Sequence, residues 1–211
     1  MKKISTVLVA VIALVLLGSC GSSETQKMNL GTMDGTRYIN EYFGLEIEIN
    51  EDWELMSEEE KIAITIRGTK FAGGDDEKFK EKLEAGEFEQ VYLLAAYKDV
   101  EDSFEPKITC LAEDLSGYYD IDGEREYLKI MKDGFESIDI GYNFSEEIYM
   151  EKAGNTEFYV LESTIEREDF DVTQKFYVKI IKNNAITFIT SYSTKEQEEE
   201  LDEMMQTIEL R

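Results

Sequence analysis

The sequence predicts an α+β domain, with strands and helices followed by a four-strand antiparallel meander and a C-terminal helix laid across it. Near its start, Leu45, Ile47 and Ile49 alternate with polar residues, which is typical of a strand with one buried face. From residue 146 onward, the pattern is that of four strands joined by short turns. The last segment has the apolar stripe of a helix. Strand-forming and helix-forming stretches in separate blocks indicate the α+β class.

After the first strand, Ser57 and Glu60 have the spacing of a capping box, which predicts a short helical turn. Ile62, Ile64 and Ile66 follow at alternate positions. Because alternation is the pattern of a half-buried strand, we expect the helical turn to give way to a strand here.

The middle of the chain begins with FAGGDDEKFKEKLEAGEF, which predicts a short exposed helix with Asp75 or Asp76 as its N-cap. Two apolar runs follow, Val91 to Tyr97 and Ile108 to Leu111, and predict two strands joined by a longer loop. The second run contains Cys110, which its apolar neighbours predict to be a buried structural thiol.

A further helix is predicted after Gly123, with Asp122 as its N-cap and acidic residues Glu124 and Glu126 near its positive end. Gly141 is expected beyond its end. The apolar stripe of this helix repeats every three or four residues and consists of Tyr127, Leu128, Met131, Phe135 and Ile138.

The four strands of the last block are predicted at 146–151, 156–167, 172–182 and 185–192, with turns at Gly154-Asn155, Asp169 to Asp171 and Asn183-Asn184. Links this short predict an antiparallel meander. The third strand has apolar residues on both faces, so we expect both to be covered. Phe176, Val178 and Ile180 lie on one face, and Tyr177 and Ile181 on the other.

The C-terminal helix is the most regular pattern in the chain. Ser193 or Thr194 is its expected N-cap, and acidic residues fill its first turns. Its stripe of Leu201, Met204, Met205 and Ile208 has helical spacing and should pack on the sheet.

The first residues have the layout of a processing segment, because Lys2 and Lys3 precede an unbroken apolar run from Val7 to Leu17. A bilayer span needs roughly 20 apolar residues, so we expect a cleaved signal peptide over 1–19. Leu17-Gly18-Ser19-Cys20 resembles the lipobox of bacterial lipoproteins. The resemblance implies cleavage between Ser19 and Cys20, a diacylglycerol on Cys20, and anchoring on the extracytoplasmic side of the cell membrane. A plain secreted protein and an uncleaved N-terminal anchor are the alternatives.

Beyond Cys20 the chain divides into two parts. Residues 20–36 are small and polar, which predicts a flexible tether, and residues 37–211 suit a single domain with its own core. The whole chain carries a net charge of −25. Such a charge repels nucleic acid and anionic headgroups. We therefore expect no nucleic-acid partner, and contact with the membrane only through the lipid on Cys20.

Tyr38-Ile39-Asn40, Phe43-Gly44, the alternating strand and Trp53 resemble the opening of bacterial lipoproteins with the PsbP-like fold. The segment from Gln174 to Leu210 is similar to the last strands and helix of that family. The resemblance implies a central antiparallel sheet between helices, and an accessory or binding role rather than catalysis. The family's usual proline before the tryptophan is replaced here by Asn50-Glu51-Asp52, so the turn before Trp53 departs from the family pattern.

The residue types exclude several kinds of chemistry. Histidine is absent, which excludes Ser-His-Asp and Cys-His catalysis and His-ligated zinc. Neither a G-x-x-x-x-G-K nor a G-x-G-x-x-G motif occurs. Asp120-x-Asp122-Gly123 has the beginning of a calcium loop, but aligning Gly123 with the loop glycine puts Tyr118 and Lys129 at the end positions. We therefore expect a turn, with a weak cation site of another geometry as the alternative, and we assign neither metal nor cofactor.

Tyr118, Tyr119 and Asp120 form a candidate contact loop for a protein, peptide or glycan, with core or turn packing of both rings as the alternative. Trp53 is interpreted as a core anchor. The expected function is a membrane-anchored, non-enzymatic binding or accessory module. The alternatives are a transporter-associated ligand-binding lipoprotein and a carboxylate-based hydrolase, which needs two facing carboxylates.

Overall fold

The structure is a computed structural model that describes residues 30–71, 90–100, 104–117, 121–137 and 141–211, without the side chains of residues 65–71. Within these ranges the chain forms eleven strands and three helices. The strands are β1 (Thr32–Asp34), β2 (Arg37–Asn40), β3 (Leu45–Glu48), β4 (Glu54–Leu55), β5 (Gln90–Tyr97), β6 (Lys107–Asp114), β7 (Tyr142–Ala153), β8 (Thr156–Glu166), β9 (Asp171–Ile181), β10 (Asn184–Tyr192) and β11 (Glu209–Leu210). The helices are α1 (Glu58–Phe71), α2 (Glu124–Ser137) and α3 (Lys195–Met205).

The strands form two antiparallel sheets. The larger has seven strands in the order β4-β5-β6-β10-β9-β8-β7, and the smaller has four in the order β1-β2-β3-β11. In the smaller sheet, Leu45 of β3 pairs with Leu210 of β11. β1 lies within the stretch assigned to the tether and pairs with β2.

The predicted meander is confirmed, because β7, β8, β9 and β10 are consecutive antiparallel neighbours. The turn between β9 and β10 differs by one residue from the prediction. It contains Lys182 and Asn183, both with positive φ, which is the geometry of a two-residue hairpin turn that follows the twist of its strands. Asn184 is therefore the first residue of β10. The turn between β8 and β9 spans 167–170, where Arg167 N donates to Phe170 O at 3.1 Å.

Alternate residues of the large sheet enter two separate cores. Phe176 and Val178 of β9 lie in the core beneath α2, whereas Tyr177 lies in the core beneath α3. This confirms that the strand is covered on both sides. A period of two sends neighbouring side chains to opposite faces, so one strand supplies both cores.

The expected packing of the sheet between helices is only part of the arrangement. Leu128 and Phe135 of α2 cover one face. On the other face, Leu201 of α3 shares its core with Leu45 and Ile47 of the small sheet. The alternating strand predicted around Leu45 is therefore confirmed, and it forms part of the layer that covers the large sheet. The α+β class describes this mixed, sheet-rich architecture.

The strand predicted at Ile62 to Ile66 is wrong, because α1 continues unbroken to Phe71. The capping box is present: Ser57 N donates to Glu60 Oε2 at 2.8 Å, and Glu60 N donates to Ser57 Oγ at 3.2 Å. Satisfying these terminal groups favours helix. Ile62 and Ile66 are also four residues apart, so the same residues suit one helical face.

The predicted α2 and α3 are confirmed with adjusted ends. Gly123, not Asp122, occupies the N-cap of α2, since its carbonyl accepts from Tyr127 N at 3.1 Å. Thr194 is the N-cap of α3, with Thr194 Oγ1 accepting from Gln197 N at 3.3 Å. The stripe residues of α3 are buried, and Ile208, beyond its last turn, is 1% exposed. The short helix predicted with Asp75 or Asp76 as its N-cap lies outside the described residues, and so does Ile138.

Candidate functional site

The site residues predicted from sequence lie outside the part of the chain that the structure describes. This applies to Ser19 and Cys20 of the lipobox and to Tyr118, Tyr119 and Asp120 of the proposed contact loop. Their roles stay predictions. None of the helices in the described ranges is long and apolar enough to cross a bilayer.

Two other predictions concern buried residues and are confirmed. Cys110 is fully buried and not in a disulfide, and burial raises the pKa of its thiol. Such a thiol is unreactive in the native state. Trp53 is 6% exposed and belongs to the core beneath α3. Its backbone N donates to Asn50 O at 3.0 Å, so a tight turn forms before Trp53 although the chain has no proline at this place.

A group of interacting polar side chains lies on the large sheet, on the face that α3 covers. We call it the tyrosine–carboxylate cluster. It is assembled from the four strands of the meander, β7 to β10, and from α3. Its members are Tyr149, Glu151, Glu162, Lys175, Tyr177, Tyr192, Glu198 and Asp202.

Sheet register brings the strand residues of the cluster together. Tyr149 of β7 pairs with Val160, which pairs with Tyr177 of β9, so the two tyrosines share one row across the sheet. Glu162 of β8 pairs directly with Lys175 of β9. Because alternate residues face the same side, these polar groups all lie on the side of α3.

Each of the three tyrosines donates its hydroxyl to a carboxylate. Tyr149 donates to Glu162, Tyr177 Oη donates to Glu151 Oε1 at 3.2 Å, and Tyr192 Oη donates to Glu198 Oε1 at 2.9 Å. Burial raises the pKa of all three phenols, and the neighbouring carboxylates raise each pKa further. The hydroxyls therefore stay protonated at neutral pH and hold the carboxylates in fixed positions.

Lys175 is the buried cation of the cluster. Its Nζ lies 3.1 Å from Glu198 Oε1 and 5.9 Å from the centre of the Tyr192 ring. Burial acts to lower the pKa of Lys175, but the hydrogen bond with Glu198 and the surrounding acidic charges outweigh it, and the pKa is raised. The lysine is thus a stable ammonium group between a carboxylate and an aromatic face.

Three carboxylates of the cluster, Glu151, Glu162 and Asp202, form no ion pair with any described residue and are only partly exposed. Burial raises the pKa of Asp202, and the charges of Glu151 and Glu198 add to that rise against the opposing charge of Lys175. The cluster therefore holds more negative than positive charge at a site with reduced access to water.

Thr190 of β10 adds a buried polar group beside the cluster. It pairs with Lys175 in the sheet and lies on the same face, is 1% exposed, and its Oγ1 has no hydrogen-bond partner. Buried hydroxyls nearly always have a partner.

Within the described ranges, no group of three or more carboxylate or cysteine side chains is close enough to hold a metal ion.

The cluster was not predicted from the sequence, because its members come from five elements and form no motif. One feature of the sequence did indicate it. Tyr149-x-Glu151 and Lys175-x-Tyr177 place polar groups at alternate positions, on strands whose same-side neighbours are buried and apolar. Polar residues at inward positions of a strand indicate a site or a buried network.

Elsewhere in the described residues, a groove of about 710 Å³ lies between β3, the turn after β7 and the chain after α3. Its polar groups are engaged in holding the C-terminal segment. Asn155 Nδ2 donates to Leu210 O at 3.1 Å, and Leu210 N donates to Asn155 Oδ1 at 3.0 Å. Thr207 Oγ1 accepts from Glu48 N at 2.9 Å. We therefore interpret this groove as structural.

No family model and no curated protein sequence matches the chain. Among solved structures it is similar to a protein from Bacteroides thetaiotaomicron, with 14% identity and a TM-score of 0.44 over 85% of this chain and 49% of that one. This chain thus spans about half the length of the Bacteroides protein. It is also similar to LpqN of Mycobacterium tuberculosis, described as involved in cell envelope biogenesis, with 12% identity and a TM-score of 0.41 over 78% of this chain and 82% of that one. At these values the likenesses assign neither a family nor an activity.

Proposed function

We propose that this protein is a lipid-anchored, extracytoplasmic binding or accessory module without enzymatic activity, and that the tyrosine–carboxylate cluster is its binding surface for a positively charged ligand or partner. One observation carries the proposal. Glu151, Glu162 and Asp202 lie together on one face, partly withdrawn from water, and have no ion pair among the described residues.

The energetics of the cluster support a positively charged ligand. Gathering like charges where water is partly excluded is unfavourable, because it removes hydration without supplying a counter-charge. The raised pKa of Asp202 has this cause in part. A bound cation supplies the missing charge. The tyrosine hydroxyls already orient Glu151 and Glu162, so less side-chain freedom is lost on binding.

The location rests on the lipobox. Two acyl chains on Cys20 reach the regime of stable membrane anchoring that a single chain does not. The PsbP-like fold implied by residues 38–53 and 174–210 belongs to the same proposal, as does a contact role for Tyr118, Tyr119 and Asp120. The transporter-associated alternative calls for two lobes around a cleft, which the described residues do not form.

A pair of triple variants tests the binding surface. The cluster variant is Glu151→Gln/Glu162→Gln/Asp202→Asn. The control variant, Glu157→Gln/Glu196→Gln/Glu203→Gln, removes the same charge from exposed positions on β8 and α3. A photoreactive amino acid replaces Thr164, which lies on the cluster face two residues from Glu162. Full-length proteins are crosslinked on intact cells of the species of origin.

We expect crosslinked products with the wild-type surface and the control variant, and their loss with the cluster variant. Equal crosslinking by all three proteins would show that the cluster is not the binding surface.

The anchor has an independent test. Mass spectrometry of the mature protein should give a diacylglycerol-modified Cys20 as the first residue, and Cys20→Ala should move the protein out of the membrane fraction. An unmodified N-terminus at another residue contradicts the anchor and leaves the binding surface unaffected.

A carboxylate-based hydrolase is the second candidate, because Glu198 and Asp202 lie one helical turn apart on α3 and both belong to the cluster. The pKa of Asp202 is raised, whereas hydrogen bonds from Tyr192 and Lys175 outweigh burial and lower the pKa of Glu198. Hydrolases of this kind need two carboxyl groups that face the same substrate. Hydrolysis of glycosides or esters that disappears in Asp202→Asn and persists in Glu203→Gln would favour this candidate.

A further inference from the structure

β7 ends the large sheet on one side and is the longest strand in the described chain. Its inner side pairs with β8, and no described strand pairs with its outer side. The other terminal strands, β1, β4 and β11, have only two or three residues each. Short edge strands protect a sheet from unwanted pairing. β7 lacks this protection.

The first half of β7 is blocked in another way. The register with β8 shifts between Phe144 and Ile148, which marks a bulge. Within the bulge, Ser145 Oγ donates to Glu147 O at 3.0 Å, and Lys132 Nζ donates to Ser145 O at 3.0 Å. Two backbone carbonyls of this half are thus bonded to side chains, and the bulge interrupts the row of groups that an added strand needs.

The second half of β7, from Ile148 to Lys152, is regular and open. Gln206 Nε2 donates to Lys152 O at 3.2 Å from outside the sheet, so this carbonyl points away from β8. In an antiparallel ladder, the backbone groups of alternate residues point the same way. The N–H and C=O groups of Ile148 and Met150 therefore point outward as well, where no described residue bonds to them.

The two faces of this open edge differ in chemistry. On the face of α3, Tyr149 donates its hydroxyl to Glu151 and to Glu162, and neither carboxylate has an ion pair among the described residues. On the face of α2, the Met150 side chain is 53% exposed. Lys152 is exposed on that face too, which disfavours basic side chains there. An added strand of period two matches both faces when basic side chains alternate with apolar ones.

We propose that β7 accepts an extended segment of a partner protein as an eighth strand of the large sheet, along the edge from Ile148 to Lys152. Lysine or arginine side chains of the segment lie against Glu151, and its apolar side chains lie against Met150. This inference rests on the proposed function, since it names the kind of partner for the same surface. A second copy of this chain fits less well, because β7 paired with itself would bring its carboxylates together.

The probe is a fluorescein-labelled peptide of about eight residues in which lysine and valine alternate, which is long enough to cover the open edge. Two further peptides carry N-methyl groups, one on its valine amides and the other on its lysine amides. Their composition and charge are the same. In the proposed register the valines share the face of Met150 and pair with β7 directly, so their amides face β7 and the lysine amides face solvent.

Fluorescence anisotropy measures binding to the purified full-length protein. We expect methylation at lysine to change the affinity by less than about threefold, and methylation at valine to weaken it at least about tenfold. We also expect the cluster variant defined above to bind the unmodified peptide more weakly than the control variant of equal charge.

A pair of variants at one position tests the edge itself. Met150→Pro removes an outward N–H and should weaken binding of the unmodified peptide at least about tenfold. Met150→Thr keeps this N–H and should change the affinity by less than about threefold. Circular dichroism verifies that both variants are folded.

Equal weakening by methylation at valine and at lysine would overturn strand addition, because it would show only the attraction of a polycation to an acidic protein. Sedimentation of the wild type as a dimer and of Met150→Pro as a monomer would assign the edge to a second copy instead. If strand addition fails while crosslinking on cells still depends on the cluster, only the kind of partner is wrong. If both fail, the binding surface itself is wrong.

Discussion

Trp53 and Glu200 are 147 residues apart in the chain, and the Trp53 indole Nε1 donates a hydrogen bond to Glu200 Oε1 at 2.8 Å. The same carboxylate accepts from Lys98 Nζ at 2.9 Å and from Asn50 Nδ2 at 3.3 Å. One side chain of α3 thus joins the turn before β4 to the end of β5. The three donors satisfy a carboxylate that is largely buried.

This arrangement predicts that Glu200→Gln destabilises the protein at neutral pH by about 1.5–3 kcal/mol, the range for hydrogen bonds to charged groups. Burial acts to raise the pKa of Glu200, but the hydrogen bonds from Trp53, Lys98 and Asn50 outweigh it, and the pKa is lowered. A lowered native pKa stabilises the fold above the unfolded value of about 4.3, and this contribution is lost as pH falls through the native pKa.

Urea unfolding at several pH values measures this effect. The difference between wild type and Glu200→Gln should shrink toward acid pH. Glu199→Gln is the control, because Glu199 is exposed on the same helix. A difference that is constant with pH would show that the charge of Glu200 does not contribute.

We expect a single methyl group added at Gly154 to destabilise the fold strongly. It has φ +56°, and a Cβ there would lie 1.8 Å from the carbonyl oxygen of Ile208. Gly35 has φ +63° with open space around its Cβ position, so Gly35→Ala isolates the backbone strain. We expect Gly35→Ala to cost about 1–2 kcal/mol and Gly154→Ala roughly 2–5 kcal/mol. Thermal unfolding checks both, and equal losses would contradict a close approach of the two chain segments.

Thiol counting tests both cysteines. Because Cys110 is buried and its pKa is raised by burial, we expect no reaction with a maleimide in the native protein. In guanidinium chloride, mature protein should react at one thiol, since the proposed lipid blocks Cys20. Two reactive thiols in the denatured protein would contradict lipidation, and native labelling of Cys110 would contradict its burial.

Asp202→Asn should stabilise the protein at neutral pH. For an acid whose native pKa is raised, the ionised form is the less favoured one in the fold, so stability falls as pH rises through the window from the unfolded value near 3.9 to the native pKa. The groups that face Asp202 are Glu151 on β7, Lys175 on β9, and Glu198 and Lys195 on α3.

The gain in melting temperature for Asp202→Asn should reach its maximum at pH values above the native pKa of Asp202. It should vanish at pH values below the unfolded pKa. Glu203→Gln, at an exposed neighbouring position on the same helix, is the control and should change stability little. A loss of stability in Asp202→Asn at neutral pH would show that its charge is needed within the fold.

Much of the fold was predictable where apolar residues recur on one face of a helix or strand. The alternation of Leu45, Ile47 and Ile49, and the stripe of Leu201 and Met204, fix the buried face directly. At Ile62 to Ile66 the same reasoning failed. Isoleucines two and four residues apart fit either period, and the capping hydrogen bonds of Ser57 decided the outcome.

The tyrosine–carboxylate cluster was not predictable, because its geometry depends on register. A strand shifted by one residue would send Tyr149 to the opposite face of the sheet. Only the pairing of Tyr149 through Val160 to Tyr177, and the packing of α3 above them, places these side chains together. Such long-range pairing leaves no trace in local spacing.

The pairing of β3 with β11 has a consequence for synthesis. The small sheet is complete only when Leu210 has paired with Leu45. Closing the long segment between these two residues is slow compared with forming local contacts. The small sheet is therefore completed only after nearly all of the described chain has left the ribosome. The export that we propose requires an unfolded polypeptide at the membrane pore, and late completion of the small sheet is compatible with that requirement.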